Sequence, residues 1–147
     1  MVRTSKRPAA SGESLVDALA RAAFVTMAVL NRLGGENDLS LTQLRVFGIL
    51  RDRRLRMAAL ARYLGLEKST MTGLVDRAEK RGLMVRAPSE EDGRAIDVYL
   101  TTEGQIVAER LEAQFRAAMT PFTKRLNGVE QRRLRDQLER MLDTPDE

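Results

Sequence analysis

The stretch that most constrains this chain is Leu60-Ala61-Arg62-Tyr63-Leu64-Gly65-Leu66-Glu67-Lys68-Ser69-Thr70-Met71-Thr72-Gly73-Leu74-Val75-Asp76-Arg77. Its apolar positions recur at helical spacing on both sides of one glycine, which predicts two short amphipathic helices meeting at a tight corner. The first covers Met57 to Leu64, with Met57, Leu60, Ala61 and Leu64 inward. Gly65 ends it at low steric cost, and Leu66 anchors the corner. The second runs from about Lys68 to Lys80, with Met71, Leu74, Val75 and Ala78 toward the core. Ser69, Thr70, Thr72, Gly73 and Arg77 are then candidates for its outer face, with Asp76 less certain. Short hydroxyl side chains near a helix start cap free amides and also allow close approach to base edges. Gly73 costs about 1 kcal/mol against alanine inside a helix, which close approach to DNA would explain.

After Arg81-Gly82-Leu83, alternation predicts a strand over Met84 to Ala87 and its partner over Ala95 to Leu100. The connection Pro88-Ser89-Glu90-Glu91-Asp92-Gly93-Arg94 is longer than a minimal hairpin and suits a protruding wing. Two helices, a corner and a hairpin tipped by an acid, a glycine and an arginine make a winged helix-turn-helix, which places one helix in the major groove and the wing in the minor groove.

Upstream, Ser14 is the expected cap of a helix over about Leu15 to Leu33, apolar enough to need cover on more than one side, from its own core or from a partner subunit. Gly34 and Gly35 are expected to stop it, with Glu36-Asn37-Asp38 as a surface turn. Ser40 and Gln43 form a capping-box pattern, with Leu39 as a staple, ahead of a helix to about Leu50. Arg51 to Arg54 reads as a turn near the nucleic acid. Downstream, Thr101 caps a long helix that Pro121 must interrupt or kink. Asn127 and Glu130 repeat the capping-box spacing before a last helix.

The formal charge is +4 over 147 residues, and much of the basic charge lies in the central segment, where a local positive field attracts phosphate. Cysteine and histidine are both absent, which excludes thiol chemistry and removes the commonest metal ligand. No cofactor or metal site is expected, and no paired-carboxylate or glycine-rich phosphate motif suggests an enzyme. No apolar stretch is expected to reach membrane-spanning length, so no membrane partner is expected. The basic start lacks a following leader core, and cytoplasmic residence is the expectation. Residues 1–13 are rich in basic, small and turn-favouring types and are expected to be a disordered tail, either a solubilising end or a loose arm bringing Arg3, Lys6 and Arg7 to DNA.

In order and spacing, these residues resemble the MarR family of winged-helix regulators. The likeness begins at Leu39-Ser40-Leu41-Thr42-Gln43, passes through Leu60-Ala61 and Leu64-Gly65-Leu66, and is tightest over Ser69 to Arg77. It continues through Glu79-Lys80-Arg81-Gly82-Leu83, Arg86, Asp92-Gly93-Arg94 and Leu100-Thr101. The resemblance implies a mainly α fold with a small β-hairpin wing, formed as one domain over 14–147. Residues 14–35 and 102–147 would form the dimerisation region and about 40–101 the DNA-binding lobe. It implies a homodimer on a palindromic double-stranded DNA operator, with recognition helices one helical turn apart, on the order of 34 Å.

By the same resemblance, Ser69, Thr70 and Thr72 lie at the major-groove surface, Arg94 reaches the minor groove, and Asp92 steadies that arginine. Arg77, Arg56, Arg62, Lys68 and Arg86 are further phosphate candidates, and Arg77 is alternatively an internal partner for Asp76 or Glu79. Arg56 stands where many relatives carry a capping hydroxyl, which its side chain cannot replace. Glu67 can offer a carboxylate to the recognition helix amides, and Gly73 replaces a common arginine. The family also implies a phenolic or other aromatic carboxylate ligand between the dimerisation helices and the lobe, for which Phe24, Met27 and Phe47 are candidate walls. A nonspecific architectural DNA binder and a non-DNA-binding interaction scaffold remain alternatives to a repressor.

Overall fold

A computed structural model describes residues 11–143. They form α1 (Ser11–Asn37), α2 (Leu41–Leu50), β1 (Leu55–Arg56), α3 (Met57–Leu64), α4 (Lys68–Lys80), β2 (Met84–Pro88), β3 (Ile96–Leu100), α5 (Thr102–Thr123) and α6 (Gly128–Leu142). The fold is mainly helical, with an antiparallel sheet in the order β1-β3-β2. Arg3, Lys6, Arg7 and most of the expected tail lie outside the described residues. From Ser11 onward that tail is helix, so Ser14 stands inside α1 and is not its cap.

The core joins α2, α3, α4, the sheet and α5. Val46, Phe47, Leu50, Leu60, Met71, Val75, Met84 and Val98 are fully buried, with Leu74, Ala78, Ala108 and Leu111 packed around them. Burying a side chain of this size contributes about 1.5–3 kcal/mol, so this cluster outweighs the weak helix propensity of Lys68–Lys80. Gly65 closes α3 at φ +65, a conformation costly for other residues, and its N–H donates to the Ala61 and Arg62 carbonyls. The capping boxes at Ser40–Gln43 and Asn127–Glu130 are both formed.

Four local expectations are corrected. First, α1 runs through Gly34 and Gly35 to Asn37. A Cβ at Gly34 would collide with the Leu39 carbonyl oxygen, so this glycine serves the close return of the chain rather than the stop. Asp38, at φ +53, makes the left-handed turn instead, as short polar residues can. Second, Leu55–Arg56 is a strand paired with Val98 and Asp97, which adds a third strand to the expected hairpin. Third, of the two outcomes expected at Pro121, interruption does not occur: the residue sits in the last turn of α5, which continues to Thr123. Fourth, Ser14–Asn37 is long and apolar enough to cross a membrane by length and composition, and none of its most apolar window is buried in the single chain.

Two joints connect these parts. At the C-terminal end of α4, Arg81 donates to the backbone carbonyls of Asp38 at 2.8 Å and Asn37 at 3.3 Å, where the α1 dipole is negative. Arg110 of α5 donates to the Asn37 side-chain oxygen at 3.1 Å, so α1, α4 and α5 meet there. The other joint is at Thr101. Its hydroxyl donates to the Gly82 carbonyl at 2.6 Å and accepts from the Gly104 N–H at 3.0 Å, while its own N–H donates to Leu83 at 3.1 Å. A Cβ at Gly104 would fall on the Leu83 carbonyl. Gly104→Ala is therefore expected to destabilise the protein by about 1–3 kcal/mol, the usual range for overpacking. Urea denaturation checks this, and an unchanged midpoint would mean the contact relaxes freely.

Candidate nucleic-acid interface

A groove of about 600 Å³ lies between the α3–α4 corner and the wing. Arg56, Arg62, Lys68, Thr72, Arg86 and Arg94 line it, above an apolar base that includes Met57 and Ile96. Six candidates separated in sequence, namely Arg56, Arg62, Lys68, Thr72, Arg86 and Arg94, are thus brought to one cleft. Ser69, Thr70 and Arg77 are exposed on α4, and Thr72 and Gly73 are half-buried. The Thr72 hydroxyl donates to the Lys68 carbonyl at 2.8 Å, which fixes its rotamer and leaves oxygen lone pairs available.

Neither helix has a side-chain cap. Arg56 precedes α3 without one, as expected, and Glu67 precedes α4 without supplying its carboxylate to the amides. The first amides of α4 are left without a side-chain partner next to Lys68 and Ser69, where the helix dipole adds positive potential.

The wing turn is held by its own backbone and two short side chains. The buried Ser89 hydroxyl accepts from the N–H groups of Glu91 at 3.3 Å and Asp92 at 3.4 Å. The Ser89 N–H donates to the Ala95 carbonyl at 2.8 Å, and the Ala95 N–H to Asp92 at 2.9 Å. Asp92 accepts from the Arg94 backbone N–H at 3.1 Å, so it orders the backbone that carries the arginine.

Ion pairing separates the cations into classes. Arg62, Lys68, Arg77 and Arg94 make no ion pair among the described residues. Arg56 has a loose contact with the exposed Glu91 at 3.7 Å. Arg86 is bound by Asp76 at 2.6 Å and Glu79 at 3.1 Å. The hydrogen bond that it donates to Glu79 is the largest influence holding the Arg86 guanidinium above its ordinary pKa range, and burial opposes it. Asp76 and Glu79 therefore pair with Arg86 rather than with Arg77, whose Nη1 lies back along α4 beside Gly73.

Arg51 to Arg54 lie outside helix and strand, as the expected turn, and both arginines at its ends are held by contacts within the protein. Arg51 pairs with Glu112 of α5 at 2.6 Å, away from the groove. Arg54 braces the outer side of the wing: it pairs with Asp97 at 3.0 Å, donates to the Pro88 carbonyl at 3.3 Å and lies 4.5 Å from the Tyr99 ring centre. The strand β1 that places Arg54 is two residues long, too short for a period-two pattern.

The three candidate ligand-wall residues do not converge. Phe24 is 73% exposed, whereas Phe47 is 1% exposed. Met27 lines a cavity of about 390 Å³ with Leu30, Leu41, Leu44, Arg45 and Leu64. Phe47 lines a separate cavity of about 190 Å³ with Leu33, Arg51, Leu111, Glu112 and Phe115.

Residues 37–95 match the MarR family. The chain is 40% identical over 65 residues to the uncharacterised HTH-type transcriptional regulator YfiV of Bacillus subtilis, an alignment covering 44% of this chain and 41% of YfiV. It is 31% identical over 111 residues to the HTH-type transcriptional repressor IacR of Pseudomonas putida, covering 75% of this chain and 66% of IacR. The chain thus spans less than half of the first relative and about two thirds of the second. Among solved structures, CouR from Rhodococcus jostii RHA1, bound to p-coumaroyl-CoA, superposes with a TM-score of 0.78 at 23% identity, covering 92% of this chain and 97% of CouR.

A Cβ added at Gly73 would meet only Arg77 Nη1, at the ordinary contact distance of 3.5 Å. Packing within the protein therefore does not require glycine there. Gly73→Ala is expected to stabilise the free protein by up to about 1 kcal/mol, read as a higher thermal midpoint. A lower midpoint would reveal an internal constraint on this position.

Proposed function

The chain belongs to the MarR family of winged helix-turn-helix DNA-binding transcriptional regulators, and we propose that it acts as a homodimeric repressor on a palindromic operator. In this reading α4 enters the major groove, with Ser69, Thr70 and Thr72 at the base edges and sugar-phosphates, and Gly73 allows the close approach. Lys68, Arg77 and Arg56 hold phosphate, and Arg94 enters the minor groove, where Asp92 fixes the backbone that carries it. The observation that carries the reading is the cleft itself, in which Lys68 and Thr72 of α4 and Arg94, without an ion pair among the described residues, border one cationic groove. Unpaired cations release counterions on meeting phosphate, whereas paired ones must first lose a partner.

Residues 14–35 and 102–147 serve, on this proposal, to join two copies. The support is exposure: Val16, Phe24, Ile106, Val129, Leu134 and Leu142 are all open in the single chain, and α6 has no buried residue. Apolar faces of that extent suit a second copy, and covering α1 in this way accounts for its membrane-like composition in a regulator working beside cytoplasmic DNA. We further assign release to a small aromatic carboxylate in the Met27–Arg45 cavity. That space is apolar with one guanidinium at its wall, which suits a carboxylate, and CouR was solved with p-coumaroyl-CoA, the thioester of such an acid, bound.

Selection of bound duplexes from a random pool is expected to return a two-fold symmetric consensus. If Arg56, Lys68 and Arg77 of each copy neutralise one phosphate each, log K falls with log[salt] at a slope of about −5. Arg94→Ala is expected to weaken binding to the selected duplex about tenfold or more, on the order of 1.4 kcal/mol, without loss of folding. A pool returning no consensus would favour the architectural binder, and unaltered affinity would remove Arg94 from the interface. For the ligand, p-coumarate is expected to raise the thermal midpoint of the natural protein but not of Arg45→Ala; equal shifts would sink the assignment.

A further inference from the structure

Arg86 differs from every other cation of the groove. It lies on β2, an edge strand of the sheet, and three contacts tie it to α4. Its backbone N–H donates to Glu79 Oε1 at 2.8 Å, and its Nη2 donates to Glu79 Oε2 at 3.1 Å and pairs with Asp76 Oδ1 at 2.6 Å. The backbone contact also satisfies an amide on a strand edge, where open groups are a liability. One guanidinium against two carboxylates leaves a formal charge of −1 on the trio, of which Arg86 alone lines the groove, whereas the other charged lining residues, Arg56, Arg62, Lys68 and Arg94, are positive.

For a residue meant to hold phosphate, that arrangement is poor. The two acids cancel the field of Arg86 and repel the backbone of a duplex lying in the groove. The same contacts are well suited to fixing the root of the wing against the recognition helix. A charge-assisted hydrogen bond from the main-chain N–H of β2 to the Glu79 carboxylate sets position in a way that a contact between side-chain tips alone does not.

We propose that Arg86, Asp76 and Glu79 form a brace that sets the distance between α4 and the wing, so that the hydroxyl face and Arg94 reach adjoining grooves together. Arg86 is then a positioning residue, and the brace serves discrimination among duplexes more than total affinity. This rests on the DNA-binding reading above.

The sign of a charge change tests it. Asp76→Asn and Glu79→Gln each remove a negative charge at nearly constant shape, which by electrostatics alone tightens binding to any duplex. With a brace, each variant binds the duplex recovered from the random pool about tenfold more weakly, while a scrambled duplex of the same length is held as well or better. Arg86→Ala loses selected-duplex affinity but keeps the salt slope of the natural protein. Tighter binding of both duplexes by the acid variants overturns the proposal. So does an equal loss on both duplexes with Arg86→Ala, accompanied by a salt slope shallower by about 0.9 per copy. Hydrogen exchange in the free protein gives a readout without DNA: the Arg86 amide is expected to exchange faster in Glu79→Gln, and unchanged exchange also overturns the brace. Failure of the natural protein to distinguish the two duplexes sinks the regulator reading instead, and the exchange result still decides whether the brace exists.

Discussion

The lobe and the long C-terminal helix are joined at a contact that leaves no room for a side chain. Gly104 lies directly on the Leu83 carbonyl, and the Thr101 hydroxyl holds both Gly82 and the first turn of α5. The end of α4, the last strand and the start of α5 are thereby fixed within a few residues of one another. The orientation of α4, and with it the groove, depends on this contact because the buried faces of α2, α3 and α4 supply adhesion without direction. Hydrophobic burial is large but non-directional; the short hydrogen bonds at Thr101 supply the angle.

The cations fall into classes by what already surrounds them. Arg54 is held by Asp97, the Pro88 carbonyl and the Tyr99 face, so it belongs to the architecture of the wing. Arg51 and Arg81 fasten the lobe to α5 and α1. Arg94, Lys68 and Arg62 remain without acidic partners among the described residues, on the side where the groove opens. The net charge of the chain conveys none of this sorting, which depends on where each acid falls once the chain is folded.

Much of the fold was legible in the sequence where the determinant is local. The limits of α3 and α4 follow from apolar spacing and from Gly65, and both capping boxes from hydroxyl or amide groups three residues ahead of a Gln or Glu. Local pattern is silent where a contact made only on folding decides. Gly34 and Gly35 look like a stop, but the helix turns back only at Asp38, and the Leu39 N–H closing onto the Gly34 carbonyl brings the Leu39 oxygen so near that glycine is favoured there. The strand β1 exists because β3 offers it an edge. The grouping of Arg56, Lys68, Thr72 and Arg94 was anticipated from the motif, whereas the capture of Arg86 by two acids of α4 was not. That capture joins positions seven and ten residues apart across a helix end and a turn, where no periodicity applies. Phe24 and Phe47 are both aromatic in apolar helices, and periodicity alone does not tell that one faces outward and the other lies in the core.

The grip of Arg81 on the last carbonyls of α1 has a mechanical consequence. It holds α4 at the end farthest from Lys68 and Ser69. At 1.5 Å per residue, the 13 residues of α4 make an arm of roughly 20 Å. A tilt of about five degrees at the fastened end then carries the opposite tip through nearly 2 Å, a sizeable fraction of a base-pair step. A small rotation of α1 is thus magnified along the length of one helix when the lobe turns with it as a body, its buried residues keeping their contacts.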